Sequence, residues 1–321
     1  MPRNQLTLDP WPSDYESAFQ VDGFEEADET KVDTDVEGAW EAIEPQASVR
    51  PERLYFIDGV RRIEARVFVN DGSGEIIRGL FGSAGVGAVC VNGNQCSFEE
   101  VQIKRLLVVG SGFRPESETL TIGNISLVFE PLADPDDSPL GPVAGLQNHM
   151  RVAEANLGEK IAANADCVFA DGPLTYFSKV MQTTVGVIKR LVEPYLTAPQ
   201  FELVRRLQTG QRTPLFVITR GKYPRYSWYL RVCKPRIMDH DLTGVLRLEV
   251  RGGAGLEKAK QLADLSATCI PAFAGESFRD PRAPQNLLPI GALEDELRHR
   301  LGDALTIRRA IETRLFEMSS T

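Results

Sequence analysis

Two aspartates in this sequence stand where an apolar run meets a glycine. Asp58 lies in the stretch YFIDGVRR, after three apolar residues and directly before Gly59. Asp171 ends the apolar run CVFAD and is followed by Gly172. An ionised carboxylate is costly to bury unless a partner compensates its charge. The repeated design therefore favours a metal ligand at both positions, whereas each Asp-Gly pair taken alone is also typical of an ordinary turn.

Two glutamates share the apolar side of predicted helices. Glu154 lies four residues after Met150 and three before Leu157, and Glu294 holds the same relation to its own apolar stripe. Residues spaced by three and four lie on one face of a helix. Four inward carboxylates repel one another, and a pair of hard divalent cations removes that repulsion. The joint pattern predicts the two-metal clamp of phosphodiester hydrolysis, while either glutamate alone also fits a solvated helix edge.

The sequence contains no competing catalytic pattern. The three histidines are isolated, and there is no Gly-x-Ser-x-Gly elbow for a nucleophilic serine. The run GSAGVG lacks the Gly-Lys-Ser/Thr of a phosphate-binding loop. The five cysteines lack the paired spacing of a zinc site, which is typical of reduced thiols.

The chain is acidic, with a net charge of −9 and a pI near 5.1. This argues against a general nucleic-acid coat protein, but not against an enzyme that holds nucleic acid through metal ions. Much of the negative charge lies in residues 22–45. We therefore expect residues 1–50 to form an acidic, extended or largely disordered arm, with Trp40 free to dock on a partner or on the domain. The absence of a long apolar window and of a secretory signal predicts a cytoplasmic protein with no membrane partner.

Hydrophobic periodicity places the carboxylates in a mixed α/β fold. Alternation predicts strands over residues 52–69 and 167–171, and short β-runs predict a β-rich insertion at about residues 75–132. Further strands are predicted in PLFVITRG, YSWYLRV, TGVLRLEV and SATCIPAFAG. Helical spacing predicts helices over residues 143–163, 185–196, 201–207, 256–265, 289–301 and 305–316. Residues 51–321 are thus predicted to form one domain with a mixed central sheet flanked by helices.

Several stretches, in their order along the chain, resemble motifs of NurA-type nucleases. They are YFIDGVRR, RVAEANLGEKIAANADCVFADGPL, TTVGVIKRL, YSWYLRV, VLRLEV and PQNLLPIGALE. The resemblance covers about residues 50–316 and implies an RNase H-like, Piwi-like fold whose central sheet carries a site for Mn²⁺ (or Mg²⁺), with two ions. It also implies DNA end processing in repair, by 5'-3' exonuclease or single-strand endonuclease action. The implied assembly is a homodimer that works with a HerA-like hexameric ATPase.

The resemblance also implies roles for individual residues. The family's two strand aspartates, its helix glutamate and a lysine near the site correspond to Asp58 and Asp171, Glu154, and Lys189. The fourth ligand falls in PIGALED, where the equivalent residue is Leu293 or Glu294, and we choose Glu294. If Leu293 is the equivalent, the site lacks a ligand, and the chain is predicted to be a weak or inactive partner subunit of a DNA-translocating ATPase. The chain also departs from the family at Val60, where serine is common.

DNA contacts are predicted around the carboxylates. Cationic side chains suit phosphates, and aromatic rings stack on unpaired bases. The predicted contacts are Arg61, Arg62, Lys189, Arg190, Tyr226 and Trp228. Arg61 and Arg62 also fit a solvated strand face, and Trp228 also fits a core position.

Overall fold

A computed structural model describes residues 5–8, 31–45, 51–70, 76–190, 195–219, 223–236, 239–276, 280 and 282–319. Its strands are β1 (Gln5–Leu8), β2 (Lys31–Asp33), β3 (Arg53–Asn70), β4 (Ile77–Asn92), β5 (Gln95–Val109), β6 (Glu118–Ile122), β7 (Ile125–Ala133), β8 (Cys167–Asp171), β9 (Thr184–Ile188), β10 (Phe216–Thr219), β11 (Arg225–Arg231) and β12 (Val245–Arg251). The described strands form a 12-stranded sheet in the order β2-β10-β11-β12-β9-β8-β3-β4-β5-β7-β6, with β1 paired to β3.

The centre of the sheet combines antiparallel and parallel strands. β3, β4 and β5 are antiparallel neighbours. After helix α1 (Gly141–Ala162), β8 pairs parallel to β3, and β9 pairs parallel to β8. A helical crossover is the usual way to join strands that end up parallel to an earlier one. The order β5-β4-β3-β8-β9 is the RNase H-like arrangement that the resemblance implies, so the predicted α/β fold class with a mixed central sheet is confirmed.

Helices cover both faces of the sheet. The remaining helices are α2 (Ala198–Arg206), α3 (Leu256–Cys269), α4 (Leu288–Arg300) and α5 (Ala304–Ser319). Helix α1 packs on the face that carries Ile57 and Val168, and α3 and α4 pack on the face that carries Phe56 and Phe169. Successive strand residues point to opposite faces, which is why Phe56 and Ile57 belong to different layers. None of the described helices is long and apolar enough to cross a membrane.

Most predicted elements are present, but two predictions are wrong. The predicted helix over residues 185–196 overlaps β9, whose run TVGVI is almost wholly buried between β8 and β12. Its β-branched residues pack well in a sheet, and this outweighs the helical spacing. The stretch SATCIPAFAG, described throughout, forms the end of α3 and a 3₁₀-helix, Ile270–Phe273, instead of a strand. Pro271 cannot donate a ladder hydrogen bond there.

Strand β3 contains a bulge that buries a charged residue. The pairing with β4 shifts register between Ile63 and Ala65, and Glu64 between them is buried. Both carboxylate oxygens of Glu64 accept hydrogen bonds from Arg62 at 3.0 Å. Arg62 also donates to two main-chain carbonyls at the C-terminal end of α4. The pair therefore ties the end of α4 to the sheet.

Residues 31–45, which belong to the predicted acidic arm, pack against the domain. β2 joins β10 as an antiparallel edge strand. The Trp40 ring meets Phe216 edge-on at 6.1 Å between centroids, and its N–H donates to the Gln200 carbonyl. Glu37 forms an ion pair with the buried side chain of Arg212. These residues are therefore not a free arm; apart from β1, the rest of the predicted arm lies outside the described residues.

The predicted β-rich stretch contributes β4, β5, β6 and β7. β4 and β5 continue the central sheet beside β3, and the β6–β7 hairpin extends it beyond β5. The stretch is thus built into the main sheet. That it is an insertion relative to the family stays a prediction.

Candidate metal centre

Asp58 lies in the middle of the sheet, on β3 between β4 and β8. Its partner on β4 is Gly87, and the preceding residue, Ile57, pairs with Ala170 on β8. Only 4% of Asp58 is exposed. Because strand side chains alternate and Phe56 packs in the layer of α4, Asp58 faces the same layer.

Strand β8 and helix α4 bring two further carboxylates to Asp58. Asp171 is the last residue of β8, which runs parallel to β3, and Glu294 is a buried residue of α4. Asp58, Asp171 and Glu294 each offer a carboxylate oxygen, and these three atoms lie within 4.8 Å of one another. Three of the four predicted ligands therefore converge.

Glu154 approaches β3 from the opposite face of the sheet. Helix α1 places its carboxylate beside Gly59, and a Cβ atom on Gly59 would collide with Glu154 Oε1. Gly59 follows Asp58, so the two residues point to opposite faces. The glycine thus makes room for the glutamate, and Glu154 stands outside the group of three converging carboxylates.

Burial and mutual repulsion act on the carboxyl groups. Burial raises the pKa of Asp58 well above its ordinary value; the charges of Asp171, Glu154 and Glu294 add to the rise, and Lys189 opposes it. Burial also raises the pKa of Glu154, to about 7. Asp58 Oδ2 and Glu154 Oε1 are buried without a hydrogen-bond partner. Buried polar atoms rarely lack a partner, so we expect a cation or a hydrogen-bond donor to bind at both oxygens.

Lys189 and Arg151 neutralise part of this negative charge. Lys189 Nζ lies 2.9 Å from Asp171 Oδ2, near the site as the resemblance implies. Arg151 lies 2.9 Å from Glu154 Oε2 and also donates to the main-chain carbonyl of Asp171 at 3.3 Å. The sequence analysis missed Arg151. Its signal was its position three residues before Glu154, one turn away on the same helix face.

Glu294 has two arginine partners that the sequence analysis also missed. Arg282 donates to both carboxylate oxygens, at 2.9 and 2.6 Å, and Arg298 donates to Oε2 at 3.3 Å. Arg298 follows Glu294 by four residues on α4, which is a readable helix spacing. Arg282 lies in the loop before α4, and nothing in its sequence position pointed to Glu294.

The donor set fits a hard divalent cation. Asp58, Asp171 and Glu294 offer only oxygen atoms, which Mg²⁺ and Mn²⁺ prefer. An ion held by these three carboxylates would give the unpartnered Asp58 Oδ2 its missing partner. It would also offset the burial and the repulsion that together raise the pKa of Asp58.

Four of the predicted DNA contacts lie on or near the surface. Arg61 is half-buried and hydrogen-bonds the side chain of Gln147. Arg62 is held by Glu64 and the end of α4, as described above. Arg190 is exposed, and Tyr226 is half-buried against the core. Their contact with DNA stays a prediction.

The prediction for Trp228 is wrong on structural grounds. Its side chain is fully buried between the sheet and α3, and its N–H donates to Ser266 Oγ at 3.1 Å. A buried indole with its one donor satisfied packs the core and offers no face to a base.

The structure is similar to those of three nucleases. The NurA nuclease from Sulfolobus solfataricus is 11% identical, with a TM-score of 0.47 over 87% of this chain and 88% of that protein. The catalytic domain of human endonuclease V is 15% identical, with a TM-score of 0.35 over 78% and 85%. Endonuclease V from Bacillus subtilis is 12% identical, with a TM-score of 0.34 over 80% and 84%. These likenesses concern the fold alone. No protein-family model and no curated protein matches the chain.

Proposed function

We propose that the protein is a metal-dependent DNA nuclease that hydrolyses phosphodiester bonds. The observation that carries this proposal is the convergence of Asp58, Asp171 and Glu294, together with a buried oxygen of Asp58, Oδ2, that has no hydrogen-bond partner. Burial and the neighbouring carboxylates raise the pKa of Asp58, so its charge costs stability, and such a group within a cluster of acids is typical of a functional site. The motif resemblance to NurA-type nucleases supports the same function.

The carboxylates would hold Mn²⁺ or Mg²⁺, and two ions are proposed. A bound divalent ion activates water and stabilises charge on the reacting phosphate. Asp58 would serve both ions, Glu154 and Asp171 would hold one each, and Glu294 would complete the ligand set of the second. Lys189 fixes the orientation of Asp171 through its 2.9 Å ion pair and supplies positive charge beside the phosphate path.

The biological setting is proposed from the motif resemblance. The substrate would be single-stranded DNA or duplex ends, cleaved by 5'-3' exonuclease or single-strand endonuclease action during end processing and repair in the cytoplasm. The partner would be a HerA-like hexameric ATPase, and the active form a homodimer. Light scattering on the full chain tests the homodimer, and a monomer would remove that part of the proposal.

A cleavage assay with one matched pair of variants tests the proposed activity. Wild-type protein should cleave labelled single-stranded DNA with Mn²⁺ and stop when EDTA is added. Asp58→Asn should lose more than about 100-fold in rate, because even residues that merely support a metal ligand typically cost 10–100-fold. Asp166→Asn is the control, since Asp166 is exposed just before β8. Equal rates for wild type and Asp58→Asn would refute the site.

A second candidate function is that of a weak or inactive partner subunit of a DNA-translocating ATPase. The observation that favours it is the engagement of both Glu294 oxygens by Arg282. Under this alternative the arginine replaces the metal permanently. The alternative predicts no Mn²⁺ binding and no cleavage by the wild type, together with retained binding to the ATPase.

A further inference from the structure

Within the converging group of Asp58, Asp171 and Glu294, it is Glu294 whose two carboxylate oxygens both accept hydrogen bonds from an exposed arginine, Arg282. We infer that Arg282 is a displaceable internal cation that competes with the divalent metal for Glu294. The inference rests on the proposed function and deepens it, because it assigns the metal site a built-in competitor.

The contacts of Arg282 match those of a competitor. Its guanidinium donates to Glu294 Oε1 at 2.9 Å and to Oε2 at 2.6 Å, so each ligand oxygen already faces a positive donor. A divalent ion between Asp58, Asp171 and Glu294 would place like charge beside that guanidinium. Repulsion between the two cations weakens metal binding as long as Arg282 stays in place.

The guanidinium lies where it can move away from Glu294. Half of the Arg282 side chain is exposed, whereas Glu294 is buried. A long arginine side chain at the surface moves between rotamers at small cost compared with a buried one. Release from Glu294 costs that ion pair, while the hydrogen bonds from the guanidinium to Asp280 at 3.1 and 2.9 Å can hold Arg282 beside the site.

The neighbouring contacts hold the site together when Arg282 leaves. Asp280 accepts a hydrogen bond from Asn286 at 2.8 Å, and Asn286 accepts one from Lys189 at 2.6 Å. Lys189 in turn pairs with Asp171. Asp280 also binds the Arg282 guanidinium at 2.9 Å, so it supplies a second anchor beside the site. None of the contacts from Asp280 through to Asp171 requires the bond between Arg282 and Glu294.

A released Arg282 would stand at the rim of the site with its donor fork free of Glu294. The planar guanidinium fits phosphate oxygens in a two-pronged contact, which a lysine cannot reproduce. The exchange thus turns a group that neutralises the metal-free site into one that contacts the DNA backbone. Metal binding would then raise the affinity for phosphate by releasing Arg282, and phosphate binding would raise the affinity for metal by keeping Arg282 away from Glu294.

Calorimetric titration of Mn²⁺ into the full chain tests the competition. Arg282→Gln removes the charge and keeps a hydrogen-bond donor, and it should bind Mn²⁺ roughly fivefold more tightly, the size expected for a half-exposed ion pair. Arg298→Gln is the matched control, because Arg298 is equally exposed and makes only one contact of 3.3 Å with Glu294. It should change the affinity less. Arg282→Lys retains the charge and should stay near wild type.

The outcomes separate this inference from the proposed function. If wild type binds Mn²⁺ and Arg282→Gln binds it equally or more weakly, Arg282 does not compete and the inference is wrong. If neither protein binds Mn²⁺, the proposed metal centre itself fails. If only Arg282→Gln binds, the competition is upheld and the wild type is held in the metal-free state. Thermal melts in EDTA add a second readout, since Arg282→Gln should melt lower than wild type without metal and gain more from Mn²⁺.

Discussion

Among the clusters of buried charge in the described part of this sheet, those around Arg212 and Asp58 differ in how completely their charges are paired, and of these two only the cluster around Arg212 is balanced. Arg212 is 1% exposed, and its guanidinium donates to both Glu37 oxygens at 2.8 Å and to Asp264 at 2.7 Å. Asp58 is 4% exposed, yet its Oδ2 has no partner and its nearest charged neighbours include other carboxylates. Burial removes both charged groups from water, but only Arg212 gains hydrogen bonds and opposite charges within the folded chain that compensate for this loss.

The pKa shifts of Glu37 and Asp58 run in opposite directions. Burial opposes the charge of Glu37, but hydrogen bonds from Arg212 and from the Leu215 amide outweigh it and lower the pKa. Burial and the charge of Asp171 together raise the pKa of Asp58. A buried charge whose partners are complete holds the segments that carry those partners together. A buried charge whose partners are incomplete is a candidate site for an external ion.

The largest expected effect comes from breaking the balanced cluster. Glu37→Gln leaves the Arg212 charge buried with one carboxylate fewer, and it should lower the free energy of unfolding by about 3–5 kcal/mol. Urea unfolding measures the loss. The rise in melting temperature caused by Mn²⁺ should remain, because the two clusters share no residue. A loss below about 1 kcal/mol would show that the arm residues do not clasp the domain.

The opposite change is expected at the unbalanced cluster. Asp58→Asn removes a repelled charge and should raise the stability of the metal-free protein by about 1–4 kcal/mol. The folded protein raises this pKa, so it holds the proton more tightly than the unfolded chain does. The ordinary pKa of an aspartate is about 3.9. As the pH rises above that value, the charged Asp58 therefore lowers the stability of the folded protein more and more.

Melting in EDTA at two pH values measures this gain. The difference between Asp58→Asn and wild type should be larger at pH 8 than at pH 5. A variant that melts below wild type at pH 8 would contradict the picture of an uncompensated carboxylate. Glu37→Gln serves as the comparison, because its melting temperature should fall at both pH values.

A smaller effect is expected at the contact between the two faces of β3. Gly59→Ala places a methyl group against the Glu154 carboxylate, whose flexible end can shift. The cost in stability should therefore be about 1 kcal/mol or less, while cleavage falls because Glu154 is displaced. The double variant Gly59→Ala with Glu154→Asp shortens the side chain and should recover part of the rate. Full activity in Gly59→Ala alone would remove Glu154 from the site.

The sequence predicts the parts of this molecule that depend on local spacing. Asp58 and Asp171 were predicted as ligands because an apolar run ended in a carboxylate, and Glu294 because it shares the apolar stripe of α4; the structure brings the three together, and their role as ligands stays a prediction. Trp228 was misassigned because an aromatic residue in a strand has the same pattern whether it faces a core or a ligand. The partners Arg282 and Arg212 depend on contacts between segments far apart in the chain, which no periodicity reveals.

Asp58, Asp171 and Glu294 are proposed to bind a divalent cation. Anomalous X-ray scattering from a crystal of wild-type protein grown with Mn²⁺ tests this proposal most directly, because the signal locates the metal without regard to activity. We predict a manganese peak within coordination distance of oxygens from all three carboxylates, with Arg282 turned away from Glu294. A well-ordered structure at millimolar Mn²⁺ that shows no peak between these residues, or whose peaks all lie elsewhere, would contradict the account.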